Sequence, residues 1–502
     1  MSGTKIPAKT GNTRVFMIEG RARPDHTPSY KSTLRMTGLS QGFGDVSPIQ
    51  EPDPYKYDSY VNVGQTRAEI ERATTSLEGR YALNLISDLL RLAKAGCPVD
   101  VQLHMGQCTD PSQFNTFEKA LILEDAYLTN WSTEDLGALQ SGDRNPVNET
   151  SDVSADVIYE VVPMTFGEKA GSVVTNEVLD AVRCDSPSCG DCESESDGCQ
   201  KIYAISSAAG GSPSTPPDIV YSLDGGLVWV AHDIDSMLTA ETPSGVDCLG
   251  QYVVVVSNAT ASLHYALLSE MDGVTDPTWT EVATGFVTGG EPNAIDSFGG
   301  KAFIVGDNGY VYVTEDATAG VEVLDAGVAT VSVLNDVHAL SENFLVAVGN
   351  DGAVIYSENG ETFAVATAPV GVGVHLNCVD VKNESEWWVG TSGGRVYVTL
   401  DGGSTWTEQA FPGSGSGVVY DIKHATESVM FLAHATSTPR GRILRSYDGG
   451  NSWVVLPERT GASMPLNDRI NVLVVCPEDP NFVVGAGLAD NATDGFIVLG
   501  AG

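Results

Sequence analysis

From about residue 200 onward the chain alternates short apolar runs with polar, glycine-rich turns, and a helical period is almost absent. Phe-Ile-Val-Gly at 303–306 is followed by Tyr-Val-Tyr-Val at 310–313. The runs at 344–348 and 353–356 form a second pair, and those at 387–390 and 395–398 a third. Short β-branched and aromatic runs bounded by turn residues predict buried strands. Before residue 200 the pattern is mixed. Residues 1–60 hold scattered Pro, Gly and Ser and predict an arm with long loops. Residues 66–75 partly alternate, as a strand does. Over 81–94, Leu83, Ile86, Leu89, Leu90 and Ala93 fall on one side of a helix that Gly96 and Pro98 end. Residues 99–104 alternate again, 117–131 hold one or two strands, and 148–162 another. One helix among several strands predicts an α+β sandwich or small barrel.

The strand-rich part repeats. Ser222-Leu-Asp224-Gly-Gly226-Leu-Val-Trp229 returns as Thr399-Leu-Asp401-Gly-Gly403-Ser-Thr-Trp406 and as Ser446-Tyr-Asp448-Gly-Gly450-Asn-Ser-Trp453. Ser357-Glu-Asn359-Gly-Glu-Thr-Phe363 is a copy one residue shorter. Weaker copies carry Asp272 with Trp279, and Asp316 with Gly320. The copies start at 222, 269, 314, 357, 399 and 446. Such intervals suit a four-stranded propeller blade. The glycine supplies positive φ in a hairpin turn, the Asp accepts from the turn's own amides, and the aromatic ring covers the hairpin. These turns resemble the Asp-box (BNR) repeat of sialidases, sortilin-type receptors and photosystem assembly factors, which marks a fold and not an activity. Three further apolar runs, at 470–475, 482–484 and 496–499, follow the last copy. Seven blades are expected, the last lacking its outer strand, which 172–182 is expected to supply.

The stretches at 101–120 (Val-Gln-Leu-His-Met-Gly-Gln-Cys onward) and 126–143 (Ala-Tyr-Leu-Thr-Asn-Trp-Ser onward) are similar to tail-tube proteins of tailed bacteriophages. That resemblance implies a β-sandwich with one helix, assembled with copies of itself into stacked six-subunit rings. The fold expected is therefore mainly β: an arm at 1–60, a tail-tube-like oligomerisation domain at 61–171, a cysteine-containing linker at 172–200 and a propeller at 201–502. The implied role is a non-enzymatic virion protein, made in the host cytoplasm. It would contact other tail proteins, let genomic DNA slide past, and turn its propeller outward toward host surface glycans. The alternative is a soluble propeller adaptor or assembly factor that binds another protein; a glycan-acting hydrolase ranks third.

Charge narrows the field. Against 27 Lys and Arg stand 66 Asp and Glu, a net −39. Such a surface repels phosphate and disfavours nucleic-acid and anionic-membrane binding. No apolar run approaches the ~20 residues that span a bilayer, so no membrane insertion is expected, and the first residues do not read as a secretory signal. A sialidase needs three arginines around the ring, yet none occurs between Arg183 and Arg395. No catalytic residue is assigned. Neighbouring acids such as Asp233 and Asp235, or Glu384 and Glu386, read as solvated surface, and His338, His375, His424 and His434 as packing residues. Cys184, Cys189, Cys192 and Cys199 form the sharpest local cluster. Two disulfides, one four-thiolate zinc site or free thiols are the alternatives, and either crosslink would pin the loop; no other cofactor is expected. Cys97 and Cys108 flank a strand and could pair, whereas Cys248, Cys378 and Cys476 read as buried thiols.

Overall fold

The computed structural model describes residues 14–19, 29–33, 39–42, 47–52, 60–66, 73–80, 98–105, 117, 119–133, 148–155, 157–168, 176–184, 200–207, 217–234, 236–237, 242–436, 441–457, 469–477, 479–488 and 495–501. The chain forms two compact units, Met1–Pro163 and Met164–Gly502. Among the described residues every regular element is a strand, apart from three-residue 3-10 turns. The helix expected over 81–94 lies outside them.

In the first unit the strands are β1 (Arg14–Glu19), β2 (Ser29–Thr33), β3 (Leu39–Gly42), β4 (Ser47–Pro52), β5 (Tyr60–Thr66), β6 (Ala73–Arg80), β7 (Val99–Met105), β8 (Lys119–Thr133), β9 (Asn148–Ala155) and β10 (Val157–Val161). One sheet runs β2-β1-β7-β8-β9-β6-β3, with β10 also on β8, and β4 pairs with β5 apart from it. The 15-residue β8 spans two neighbourhoods: its first half lies between β7 and β10, and its second half pairs with β9. It turns at Asp125, whose φ is 48° and whose amide donates to the Asp100 carboxylate at 3.3 Å. Positive φ at a residue with a Cβ is uncommon, and Asp is among the residues that tolerate it. Val99, Val101, Leu103, Leu123, Ala126, Val153 and Ala155 pack the core. Two expectations are corrected. The first 60 residues are not an arm alone, because β1 to β4 lie within them. The boundary falls after Pro163 rather than at 171.

The second unit contains seven antiparallel four-stranded sheets, six of them wound strand after strand. We number these blades 1 to 7. Their innermost strands are Val178–Arg183, Pro243–Leu249, Pro292–Phe298, Leu334–Ala339, Leu376–Val381, Val418–His424 and Arg469–Cys476. Each innermost strand touches the next, and that of blade 7 touches that of blade 1, so the sheets close into a ring. Second and third strands are runs such as Val-Val-Val-Val at 253–256, buried on both faces because each sheet is sandwiched between two others. Val254, Val256 and Leu263 of blade 2, for instance, pack on Ile295 and Ile304 of blade 3.

The expected closing strand is corrected. Residues 178–183 form the innermost strand of blade 1. The outer strand of blade 7 is Thr165–Glu168, antiparallel to Gly495–Ala501, with Thr165 opposite Ala501 and Glu168 opposite Val498. Pairing the two ends of the unit removes the open edges of an unclosed ring.

Candidate functional site

In an up-and-down sheet, the turns from first to second strand and from third to fourth share one end. The turns from second to third strand and the crossings to the next blade share the other. The repeated Asp turns are all third-to-fourth connections. Their hydroxyls and carboxylates hold the turn. The amides of Gly226, Gly360, Gly403 and Gly450 donate to Ser222 (2.9 Å), Ser357 (2.9 Å), Thr399 (2.9 Å) and Ser446 (2.8 Å). Asp224, Asn359, Asp401 and Asp448 accept the amides of Val228, Thr362, Thr405 and Ser452 at 2.8–2.9 Å. Gly226, Gly403 and Gly450 have φ of 81–84°, where a side chain is strained. The indoles of Trp229 and Trp453 donate to the carbonyls of Gly226 and Gly450. Trp406 instead donates to the Thr367 carbonyl of the neighbouring blade at 2.7 Å, edge-on to the buried Trp387, and Phe363 lies half-buried against the core between blades 3 and 4. Asp272 accepts Val274 and Thr275 amides, Asp316 that of Thr318, and Trp279 is buried. Apart from the Trp279 indole N–H, which is buried without an acceptor, these groups are occupied by their own turn or its neighbour.

The cysteines are arranged differently from expectation. Cys184 ends the innermost strand of blade 1 and is bonded to Cys248 on the innermost strand of blade 2, with Cα atoms 5.6 Å apart. That pairing overturns a site built from Cys184 with Cys189, Cys192 and Cys199, and also the reading of Cys248 as a free thiol. Cys189, Cys192 and Cys199 lie outside the described residues, as do Cys97 and Cys108. Cys476 is disulfide-bonded too, and Cys378 is a buried free thiol. Among the described residues no three His, Cys, Asp or Glu side chains converge enough to hold a metal ion.

The polar chemistry the turn repeat did not reveal lies along the ring centre. Every innermost strand carries a bulge, at Leu179, Ser244, Asn293, Asn335, Asn377, Tyr420 and Asn471. A bulge frees one side chain from the ladder, and here five of the seven reach the next blade. Ser244 donates to the Pro292 carbonyl (2.7 Å), Asn293 to Leu334 (3.1 Å), Asn335 to Leu376 (2.8 Å), Asn377 to Val419 (2.9 Å) and Asn471 to Val178 (2.8 Å). Aspartates continue the stitching. Asp180 accepts the Val246 amide (2.9 Å), Asp296 that of Ala339 (2.6 Å), Asp336 that of Val379 (2.8 Å), Asp380 that of His424 (3.0 Å) and Asp421 that of Leu473 (2.7 Å).

These residues line a cavity of about 180 Å³. Lys423 stands in it, 3.9 Å from Asp421. Burial opposes its charge, but Asp421, Asp336 and Asp380 outweigh that and hold the ammonium well above the ordinary lysine range. Burial pushes Asp180 and Asp421 up to about 6 and Asp336 to about 8. Burial also opposes ionisation of Asp380, yet His424, with Nδ1 at 2.7 Å, then His338 and Lys423 hold it at about 2. His338 and His424 thus share one buried carboxylate, Asp380, as well as packing. The sequence carried a sign of this ring: Asn293 precedes Asp296, and Asn377 precedes Asp380, by the same three positions.

No protein-family model matches the chain, and no curated protein matches it significantly. Solved structures do resemble it. The structure titled "YCF48 bound to D1 peptide" is 17% identical, covers 68% of this chain and 98% of its own, and superposes with a TM-score of 0.50. YCF48 from Cyanidioschyzon merolae is 14% identical over 67% of this chain and 98% of its own, with a TM-score of 0.49. U3-55K is 13% identical over 67% and 100%, with a TM-score of 0.46. None of the three is a tail-tube protein, and at such identity what the first shares with this chain is the propeller fold.

Proposed function

We propose that the chain is a soluble β-propeller adaptor that binds a segment of another protein and does not act as a catalyst. The observation that carries this reading is the closed seven-sheet ring, which resembles a propeller whose solved structure has a peptide bound. A rigid ring offers a preformed surface, and a partner that orders little of its host loses little freedom on binding. The repeated turns, which resemble Asp boxes, serve as stitching, since their polar groups are spent on the turns themselves. The tail-tube reading draws on no likeness and is set aside. Selection from a random peptide display library against the intact chain tests the proposal. One enriched motif with saturable binding is expected; no enrichment, together with turnover of a glycoside or ester panel, would overturn it.

A further inference from the structure

Three independent features bear on one end of the ring and the channel behind it. The first is apolar. The crossings between blades 2 and 3, 3 and 4, and 4 and 5 all lie at the end where the bulges sit, and each exposes valine: Val287 (38%), Val328 (89%) with Val331 (77%), and Val372 (90%). Each crossing enters an innermost strand within a few residues, which puts these side chains on the same end of the ring as the bulges. Clustered exposed apolar side chains mark interaction surfaces.

The second is charge. From residue 284 to 381 the chain has no arginine and one lysine. That lysine, Lys301, begins the second strand of blade 3, at the opposite end. The end with the valines carries Glu291, Asp307 and the exposed Asp351.

The third is an unused acceptor. Asp247 is 5% exposed and lines the cavity. Its Oδ1 accepts the Cys248 amide at 2.7 Å and its Oδ2 has no hydrogen-bond partner, while burial and the charge of Asp296 raise its pKa well above the ordinary carboxylate range, a shift that a bound cation would oppose. Asp296 also borders this arc of the wall, and Lys423 interacts with it less than with Asp421, Asp336 and Asp380. A buried polar atom without a partner costs roughly 1–3 kcal/mol, which a ligand donor would relieve. No metal-holding group forms among the described residues, but an ammonium or guanidinium needs only one or two acceptors and is stabilised by each.

We propose that this end of the ring, over blades 2 to 5, binds an extended protein segment carrying a lysine or arginine between apolar side chains. The cation enters the channel toward Asp247 and Asp296, and the apolar neighbours cover Val287, Val328, Val331 and Val372. The inference rests on the adaptor reading and names the chemistry of its partner.

The probe is acetyl-Val-Val-Arg-Val-Val-amide, compared by calorimetry with its citrulline counterpart, which keeps the shape and loses the charge. The arginine peptide is expected to bind about tenfold tighter or better. Asp247→Asn should abolish that preference, and Val372→Ser should weaken both peptides alike. Val372 is exposed, so that variant stays informative if Asp247→Asn fails to fold. Equal binding of the two peptides, binding of neither, or an unchanged preference in Asp247→Asn overturns the inference. A library motif that lacks a cation overturns it too while leaving the adaptor reading standing; no motif at all overturns both.

Discussion

Asp448 and Asp272 fill the same turn position in blades 6 and 2 but differ in surroundings. Asp448 is 1% exposed and accepts Ser446, the Ser452 amide and the Ser452 hydroxyl, whereas Asp272 faces water. Asp448→Ala should therefore cost about 2–3 kcal/mol in chemical denaturation, since buried donors lose their acceptor, and Asp272→Ala should cost clearly less. His264 makes a second case. Its ring lies between the hydroxyls of Ser236 (2.7 Å) and Ser262 (3.0 Å), and burial lowers its pKa to about 4. Between the ordinary value near 6.5 and 4 the unfolded chain holds a proton that the folded chain refuses, so this residue's contribution to stability is complete above 6.5 and fades as pH falls to 4. The loss is on the order of 3 kcal/mol. Asp336 acts with the opposite sign: its raised pKa favours folding at low pH, and that contribution is lost as pH rises toward 8. Denaturation midpoints at pH 7 and pH 4.5 should fall less on acidification in His264→Gln than in the wild type; an equal fall would show that other groups set the acid sensitivity. Local chemistry explains what was legible at this scale. A turn whose Ser, Asp, Gly and Trp act on one another announces itself in eight residues, whereas Asp180, Asp247 and Asp336 become neighbours only once the ring has closed.

The bulge is the recurrent device at the level of the strand. By giving up one ladder position, five of the seven innermost strands turn an amide or hydroxyl toward the following blade, and register at the ring centre is fixed by side chains as well as by packing. Asn335 is bonded to the Leu376 carbonyl and to Asn350. Asn335→Ala should lower stability by about 1–3 kcal/mol with the fold intact, read from denaturant midpoints at unchanged slope. The blade count could be read from turn spacing because every blade repeats the same hairpin. The closing strand could not. Residues 165–168 are four long and hold one large apolar side chain, Phe166, too short for any period to show. The longer alternating run that starts near 172 attracted the assignment instead. The first unit was less legible: alternation found β7 and the region of β8, but the bend at Asp125 and the strands before residue 60 leave no periodic trace.

For the molecule as a whole, the Cys184–Cys248 bond spans 64 residues and joins neighbouring blades. Constraining a loop of that length in the unfolded chain contributes about 4 kcal/mol in the chain-entropy account. The Cys184→Ser, Cys248→Ser double variant should lose stability of that order, and reductant should cost the wild type more than that, because it also breaks the bond at Cys476. Sequence spacing misled here because proximity along the chain suggested partners within the cluster, while the fold brings together two strand ends from adjacent blades.

Closure by Thr165–Glu168 also dictates an order of events during synthesis. That short segment leaves the ribosome well before Gly495–Ala501 exists, so the nascent propeller spends most of its translation as an open arc. Until the final sheet emerges, the arc presents bare edges at both of its ends, and other nascent copies could pair with them. The cell must keep such arcs apart or finish them quickly, which makes Gly495–Ala501 the segment on which solubility of the propeller turns.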